Sequence, residues 1–194
     1  MEDVVLAVDK SLSAPLHDSY QQRLHTENST METLHVQIER LCFTSKKPFE
    51  DVLTGLYSGI SRPNIDELKQ QLKSAHNLEE FARTVDAAVG SVGLLEFLSL
   101  DLGAALRVGP SIRPYRMIRI IAGNPMIMRS MTQSVPAAGS YAPITILIYQ
   151  YDGDVNVCYD TLASLLAGYD GTESWQIAKN LDKKVIDLID RAVN

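Results

Sequence analysis

Gly123-Asn124-Pro125-Met126-Ile127-Met128 is the stretch on which the fold turns. It follows Met117-Ile118-Arg119-Ile120-Ile121, an apolar run of the length and composition of a buried strand. Asn is a favoured helix N-cap and Pro a favoured first helical residue, so three residues encode the end of a strand, a tight turn and a helix start. The helix they open is short and Met-rich and reaches about Val135. Its start directs unpaired backbone N–H groups and a partial positive charge toward the turn, which marks a place where a small anion can sit.

Working outward, Gly93 to Leu102 is apolar on both faces with Glu96 and Asp101 embedded. Its length suits a buried strand, although periodicity alone leaves a helix open. Beyond the Met-rich helix, Val135 to Pro143 is a loop of little charge. Ile144 to Tyr151 and Val155 to Tyr159 flank Asp152-Gly153-Asp154, a hairpin signal. Asp160 is placed to cap a helical turn through Leu162, Leu165 and Leu166. Ser174 to Val193 then reads as a long amphipathic helix, with Ile177, Leu181, Val185, Leu188 and Ile189 inward and Lys179, Asp182, Lys183 and Asp190 outward.

Toward the N-terminus, Met31 to Thr44 alternates as a half-buried first strand. Ser45 is expected to cap a helix carrying Phe49, Val52, Leu56 and Ile60. Asn64 and Asn77 start two more helices, the second ending at Gly90, and this pair reads as an insertion after the first strand. Residues 1 to 30 lack periodicity and read as a flexible arm with a helical patch from Leu16 to Leu24; residues 31 to 194 form one domain. The order predicts an α+β fold with a single antiparallel sheet of about five strands. The C-terminal helix covers the face bearing Ile144, Ile146 and Ile148. The opposite face, with Thr145, Leu147, Tyr149 and Tyr151, is too apolar for water. A homodimer, or the arm and inserted helices, would cover it.

With 194 residues, 45% hydrophobic and 22% charged, the chain builds one ordinary core. No apolar run approaches the roughly 20 residues of a membrane span, and Met1-Glu2-Asp3 is acidic where a secretory signal is basic. Cys42 and Cys158 sit in strand-like runs and read as free buried thiols in a reducing, cytoplasmic setting. They and the dispersed His17, His25, His35 and His76 show no metal-ligand spacing, so neither metal nor other cofactor is expected. The net charge of −6 is unevenly spread. No Asp or Glu occurs from Leu102 to Tyr151, where Arg107, Arg113, Arg116, Arg119 and Arg129 give +5, leaving −11 elsewhere. Those arginines either build a pocket for an anion or pair with carboxylates of the acidic helices. The acidic total and the want of a basic stripe with interleaved aromatics speak against nucleic acid.

Four motifs in series, Gly123-Asn124-Pro125-Met126-Ile127-Met128, Ala138-Gly139-Ser140-Tyr141-Ala142-Pro143, Asp152-Gly153 and Tyr159-Asp160-x-x-Ala163-Ser164-x-Leu166, resemble the family catalogued as domain of unknown function 302. The resemblance spans about Leu34 to Val193 and is dense from Arg119 to Tyr169. It implies a TATA-box-binding-protein-like α+β fold, one sheet with a long helix against it, often dimeric. The leading arm and the helices from Asn64 to Gly90 depart from compact members. The family brings no established reaction.

The residues leave two classes of function open. In the first, a cofactor-independent isomerase, cyclase, lyase or hydrolase acts by acid–base chemistry on a small, anionic, partly apolar molecule. Asn124, Arg119 and Arg116 would hold the anion, Met128 and Tyr141 would line the site, and Asp160, Glu96 and Tyr159 would move protons. In the second, the protein is a non-catalytic ligand binder or dimeric scaffold. Asn124 and Asp160 are then caps, Glu96 pairs with an arginine, and the methionines fill core.

Overall fold

The computed structural model describes residues 24–26, 29–31, 33–108 and 115–194. The chain forms two units, Met1–His35 and Val36–Asn194, each taken by itself. In the first, β1 (Leu24–Thr26) and β2 (Ser29–Met31) pair antiparallel. The helical patch expected from Leu16 lies outside the described residues, except for Leu24, which opens β1.

The second unit begins its regular structure at β3 (Arg40–Ser45), so the strand expected from Met31 starts late. There follow α1 (Phe49–Tyr57), β4 (Ile60–Ser61), α2 (Ile65–Ser74), α3 (Leu78–Ala88) and β5 (Leu94–Asp101). Next come the single-turn α4 (Gly103–Leu106), β6 (Met117–Gly123) and α5 (Pro125–Ser134). The chain closes with β7 (Ile144–Tyr151), β8 (Asp154–Asp160), the single-turn α6 (Leu162–Leu165) and α7 (Glu173–Val193). Asn64 and Asn77 cap α2 and α3 through their side chains, as short polar acceptors do. Ser45 does not cap α1. Pro48 stands at that position without a side-chain bond, while the Ser45 hydroxyl is buried and donates to the Val193 carbonyl at 2.5 Å.

The sheet has six strands in the order β3-β8-β7-β6-β5-β4. Its pairs are antiparallel except β4 with β5, so the expected single antiparallel sheet of about five strands becomes a mixed sheet of six. The extra strand is Ile60-Ser61, which continues the periodicity of α1 in sequence and is too short to show one of its own. Asp152 (φ 54°) and Gly153 (φ 92°) make the two-residue turn between β7 and β8. Both are in the left-handed region that a hairpin twisting with its strands requires.

Ile144, Ile146 and Ile148 of β7 share one buried core with Val155, Val157 and Tyr159 of β8 and with Ala178, Leu181, Val185, Leu188 and Ile189 of α7. The C-terminal helix therefore covers the face expected. Gly55 of α1 lets that helix press on α7: a Cβ there would lie 2.8 Å from the Ala192 Cα. The opposite face carries Thr145, Leu147 and Tyr149, half-buried, and Leu98, 47% exposed.

One residue of α7 departs from the amphipathic reading. Asp182 is buried, not outward, because it lies on the same stripe as Ala178, Val185 and Ile189.

Candidate functional site

The turn between β6 and α5 forms as read. The Asn124 Oδ1 accepts from the backbone N–H groups of Met126 (2.8 Å) and Ile127 (3.2 Å), and Pro125 opens the helix. Its Nδ2 donates to the Gly93 carbonyl at 2.9 Å, tying α5 to the start of β5. Beside this turn lies a hollow of about 190 Å³. Phe97 of β5, Gly123, Asn124 and Pro125 of the turn, Ile127, Met128 and Met131 of α5, Ala142 and Pro143, Ile144 of β7 and Leu181 of α7 line it. The Ala142–Pro143 peptide is cis. A Cβ on Gly123 would stand 2.9 Å from Phe97 Cε2 and 3.1 Å from Pro143 Cβ, so glycine keeps that wall of the hollow open. Among the described residues no charged side chain lines the hollow.

The remaining residues singled out by the sequence go elsewhere. Asn124 and Met128 share the hollow. Arg116 stands just before β6, eight residues ahead of Asn124 and about 26 Å away at the strand rise, where it pairs with Glu50 and stacks 4.0 Å above the Phe49 ring. Arg119 is midway on the strand and exposed. Arg116 and Arg107 do border a second hollow of about 330 Å³ near Tyr115 and Tyr151. Arg107 is engaged there by Asp101 at 2.5 Å, as Arg116 is by Glu50. Tyr141 is half-buried and packs on the core.

Glu96 accepts from the Tyr57 hydroxyl at 2.5 Å and has Arg62 at 3.6 Å, with the Arg62 guanidinium 4.5 Å above the Tyr57 ring. Burial first, and then the bond to Glu96, raises the Tyr57 phenol above its usual range. Asp160 ends β8 and does not cap α6, whose N-cap is Thr161. Its carboxylate takes two hydrogen bonds from Arg40, at 2.6 and 2.8 Å, and that guanidinium holds it below the ordinary carboxylate value.

Tyr159, 1% exposed, donates to Asp182 Oδ1 at 2.5 Å. Burial, followed by the Asp182 charge, pushes its phenol far up. The same carboxylate accepts from the Leu162 N–H (2.8 Å) and the Ala163 N–H (2.9 Å), so a residue of α7 supplies the cap expected from Asp160.

The three proton-moving candidates thus occupy three separate bonding networks, and neither Arg116 nor Arg119 reaches the Asn124 hollow. The sequence does not single out Phe97, Pro143 and Leu181, which line the hollow. Pro143 was visible as the end of a motif; Phe97 and Leu181 carry no signal beyond an apolar stripe. Among the described residues no cluster of three or more His, Cys, Asp or Glu side chains gathers as metal ligands. No helix among them is long and apolar enough to cross a membrane.

A six-stranded mixed sheet with a long C-terminal helix across one face defines an α+β domain. Residues 70–192, well over half of the chain, match the family model described as Domain of unknown function DUF302, and the chain belongs to that family. Its fold is similar to the crystal structure of an uncharacterized conserved DUF302 protein from Bacillus stearothermophilus. The likeness has a TM-score of 0.53 at 13% identity and covers 79% of this chain and 97% of that one. No curated protein matches the chain.

Proposed function

We propose that the protein is a non-catalytic binder of a small, uncharged, mainly apolar molecule, held in the hollow beside Gly123-Asn124-Pro125. One observation carries this reading. The hollow is walled by Phe97, Ile127, Met128, Met131, Pro143, Ile144 and Leu181, and the one polar side chain among the described residues that line it, Asn124, already gives its amide to backbone partners. A dry apolar cavity of about 150 Å³ accepts benzene, so about 190 Å³ suits a monocyclic aromatic or a short branched acyl chain. Methionines at the wall adapt to such guests because their side chains are unbranched and polarizable. The acid–base reading has less support, since its carboxylates and arginines stand apart from this space.

Toluene is the simplest probe. At ten times its Kd a ligand adds about 1.4 kcal/mol, which for a chain of this size raises Tm by about 3–6 °C. The full chain should show this saturable rise, and Met128→Trp, which fills the hollow, should lose it. A wild-type Tm indifferent to toluene, or an equal rise in both proteins, contradicts the proposal.

A homodimer through the face of exposed Leu98 and half-buried Ile121 and Leu147 belongs to the same reading, supported by the apolar area that face offers to water. Light scattering at micromolar concentration tests it, and a clean monomer removes it. A TATA-box-binding-protein-like arrangement is supported by the long helix laid on the sheet. A cytoplasmic setting is supported by Cys42 and Cys158 standing as free thiols.

A further inference from the structure

Four alternate rungs between the edge strand β3 and β8, or just beyond its end, carry facing side chains on the side of the sheet away from α7. They are Arg40 with Asp160, Cys42 with Cys158, Thr44 with Asn156, and Lys46 with Asp154. The thiols are not buried as the sequence suggested: Cys42 is exposed and Cys158 half-buried. Their sulfurs stand 3.1 Å apart.

The kind of rung matters. Thr161 N–H donates to the Glu39 carbonyl at 2.9 Å, one step beyond the Arg40–Asp160 pair. Antiparallel rungs alternate, so Cys42 and Cys158 occupy a non-hydrogen-bonded pair, where Cα atoms are about 4.5 Å apart and side chains are closest. That spacing lies within the range a disulfide spans, about 4.4–6.8 Å. The rungs on either side, Arg40–Asp160 and Thr44–Asn156, pin the register, so the thiols cannot slip past each other.

We propose that Cys42 and Cys158 are a redox-active dithiol that closes to a cross-strand disulfide by exchange with a low-molecular-weight disulfide and reopens with thiol. Cys42, the accessible sulfur, loses its proton and attacks one sulfur of the small disulfide, forming a mixed disulfide and expelling one small thiolate. Cys158 then loses its proton and attacks the Cys42 sulfur. The protein disulfide forms, the mixed one breaks, and the second small thiolate leaves. Two protein thiols are oxidised, one small disulfide is reduced to two thiols, and the two protons pass to the leaving groups. Burial, with the bond to Cys42, pushes the Cys158 thiol up to about 11, which makes it the poorer first attacker; its closing step rests on proximity, its sulfur already standing beside that of Cys42. The closed bond would join the edge strand to β8 across 116 residues of sequence.

The test is incubation of the full chain with oxidised glutathione, followed by intact mass and thiol titration. The wild type should lose both titratable thiols, weigh less by two hydrogens, carry no adduct, and return to the starting mass with dithiothreitol. Cys158→Ser should stop at one stable glutathione adduct on Cys42. Wild-type protein that keeps both thiols, carries adducts on them, or cross-links between chains overturns the proposal without reference to any variant.

Discussion

The side-chain amide of Asn124 is held to the Gly93 carbonyl at 2.9 Å while its oxygen caps α5, so one residue joins the start of β5 to the start of α5. Both ends of the amide are spent on backbone. Asn124→Ala removes a cap and a hydrogen bond, each about 1 kcal/mol. The expected loss is about 2 kcal/mol, or a Tm lower by about 4–8 °C. Asn124→Asp keeps the cap acceptor and loses the donor to Gly93, so thermal melts should rank wild type above Asp above Ala. An unchanged melt for Ala would refute the bracing role.

Asp182 should be among the costliest polar residues to remove. Asp182→Ala leaves the Tyr159 hydroxyl and the Leu162 and Ala163 N–H groups without an acceptor. Buried orphaned groups cost about 1–3 kcal/mol each, so urea denaturation should show a loss of at least about 3 kcal/mol. Tyr159→Phe removes one donor and leaves two, and should lose about 1 kcal/mol. Equal losses would mean that the hydroxyl, not the α6 cap, is what the carboxylate serves.

The Arg40–Asp160 pair gives a pH signature. The folded Asp160 titrates below its ordinary value of 3.8, so the unfolded chain binds the proton first as the solution is acidified. Its contribution is therefore fully present above 3.8 and lost as pH falls through the lower folded value. Wild type should be more stable than Asp160→Asn at pH 7, and the two denaturation curves should converge in strong acid. A gap that persists there would trace to something other than the charge.

Gly123→Ala probes the wall of the hollow. The new methyl group falls 2.9 Å from the Phe97 ring, which has to turn into the hollow or push the chain apart. Overpacking of this kind costs about 1–3 kcal/mol. The variant should melt lower and lose the toluene-dependent rise in Tm; retention of the full rise would separate the hollow from this glycine.

The local grammar of the chain was readable wherever a residue's role is settled by its neighbours. Asn64, Asn77 and Asn124 cap helices, and Asp152-Gly153 turns a hairpin, because each solves a backbone problem within a few residues. What depends on distant partners was not readable. A charge normally seeks water, which predicts Asp182 outward, yet three donors from β8 and α6 make burial tolerable. Ile60-Ser61 became a strand only because β5 lies alongside to pair with it. The arginine-rich stretch suggests an anion pocket, but β6 separates Arg116, just before it, and Arg119, midway along it, from Asn124, just after it, instead of gathering them.

The central claim is that a small apolar molecule enters the hollow beside α5, and the six methionines of the chain report on it directly. Methyl-labelled methionine spectra of the full chain should be followed while toluene is added. The Met128 and Met131 signals should move saturably and together, while Met117, on the strand outside the hollow, stays fixed. If no methyl signal moves, or if all drift alike without saturating, the hollow holds no ligand and the binding account fails.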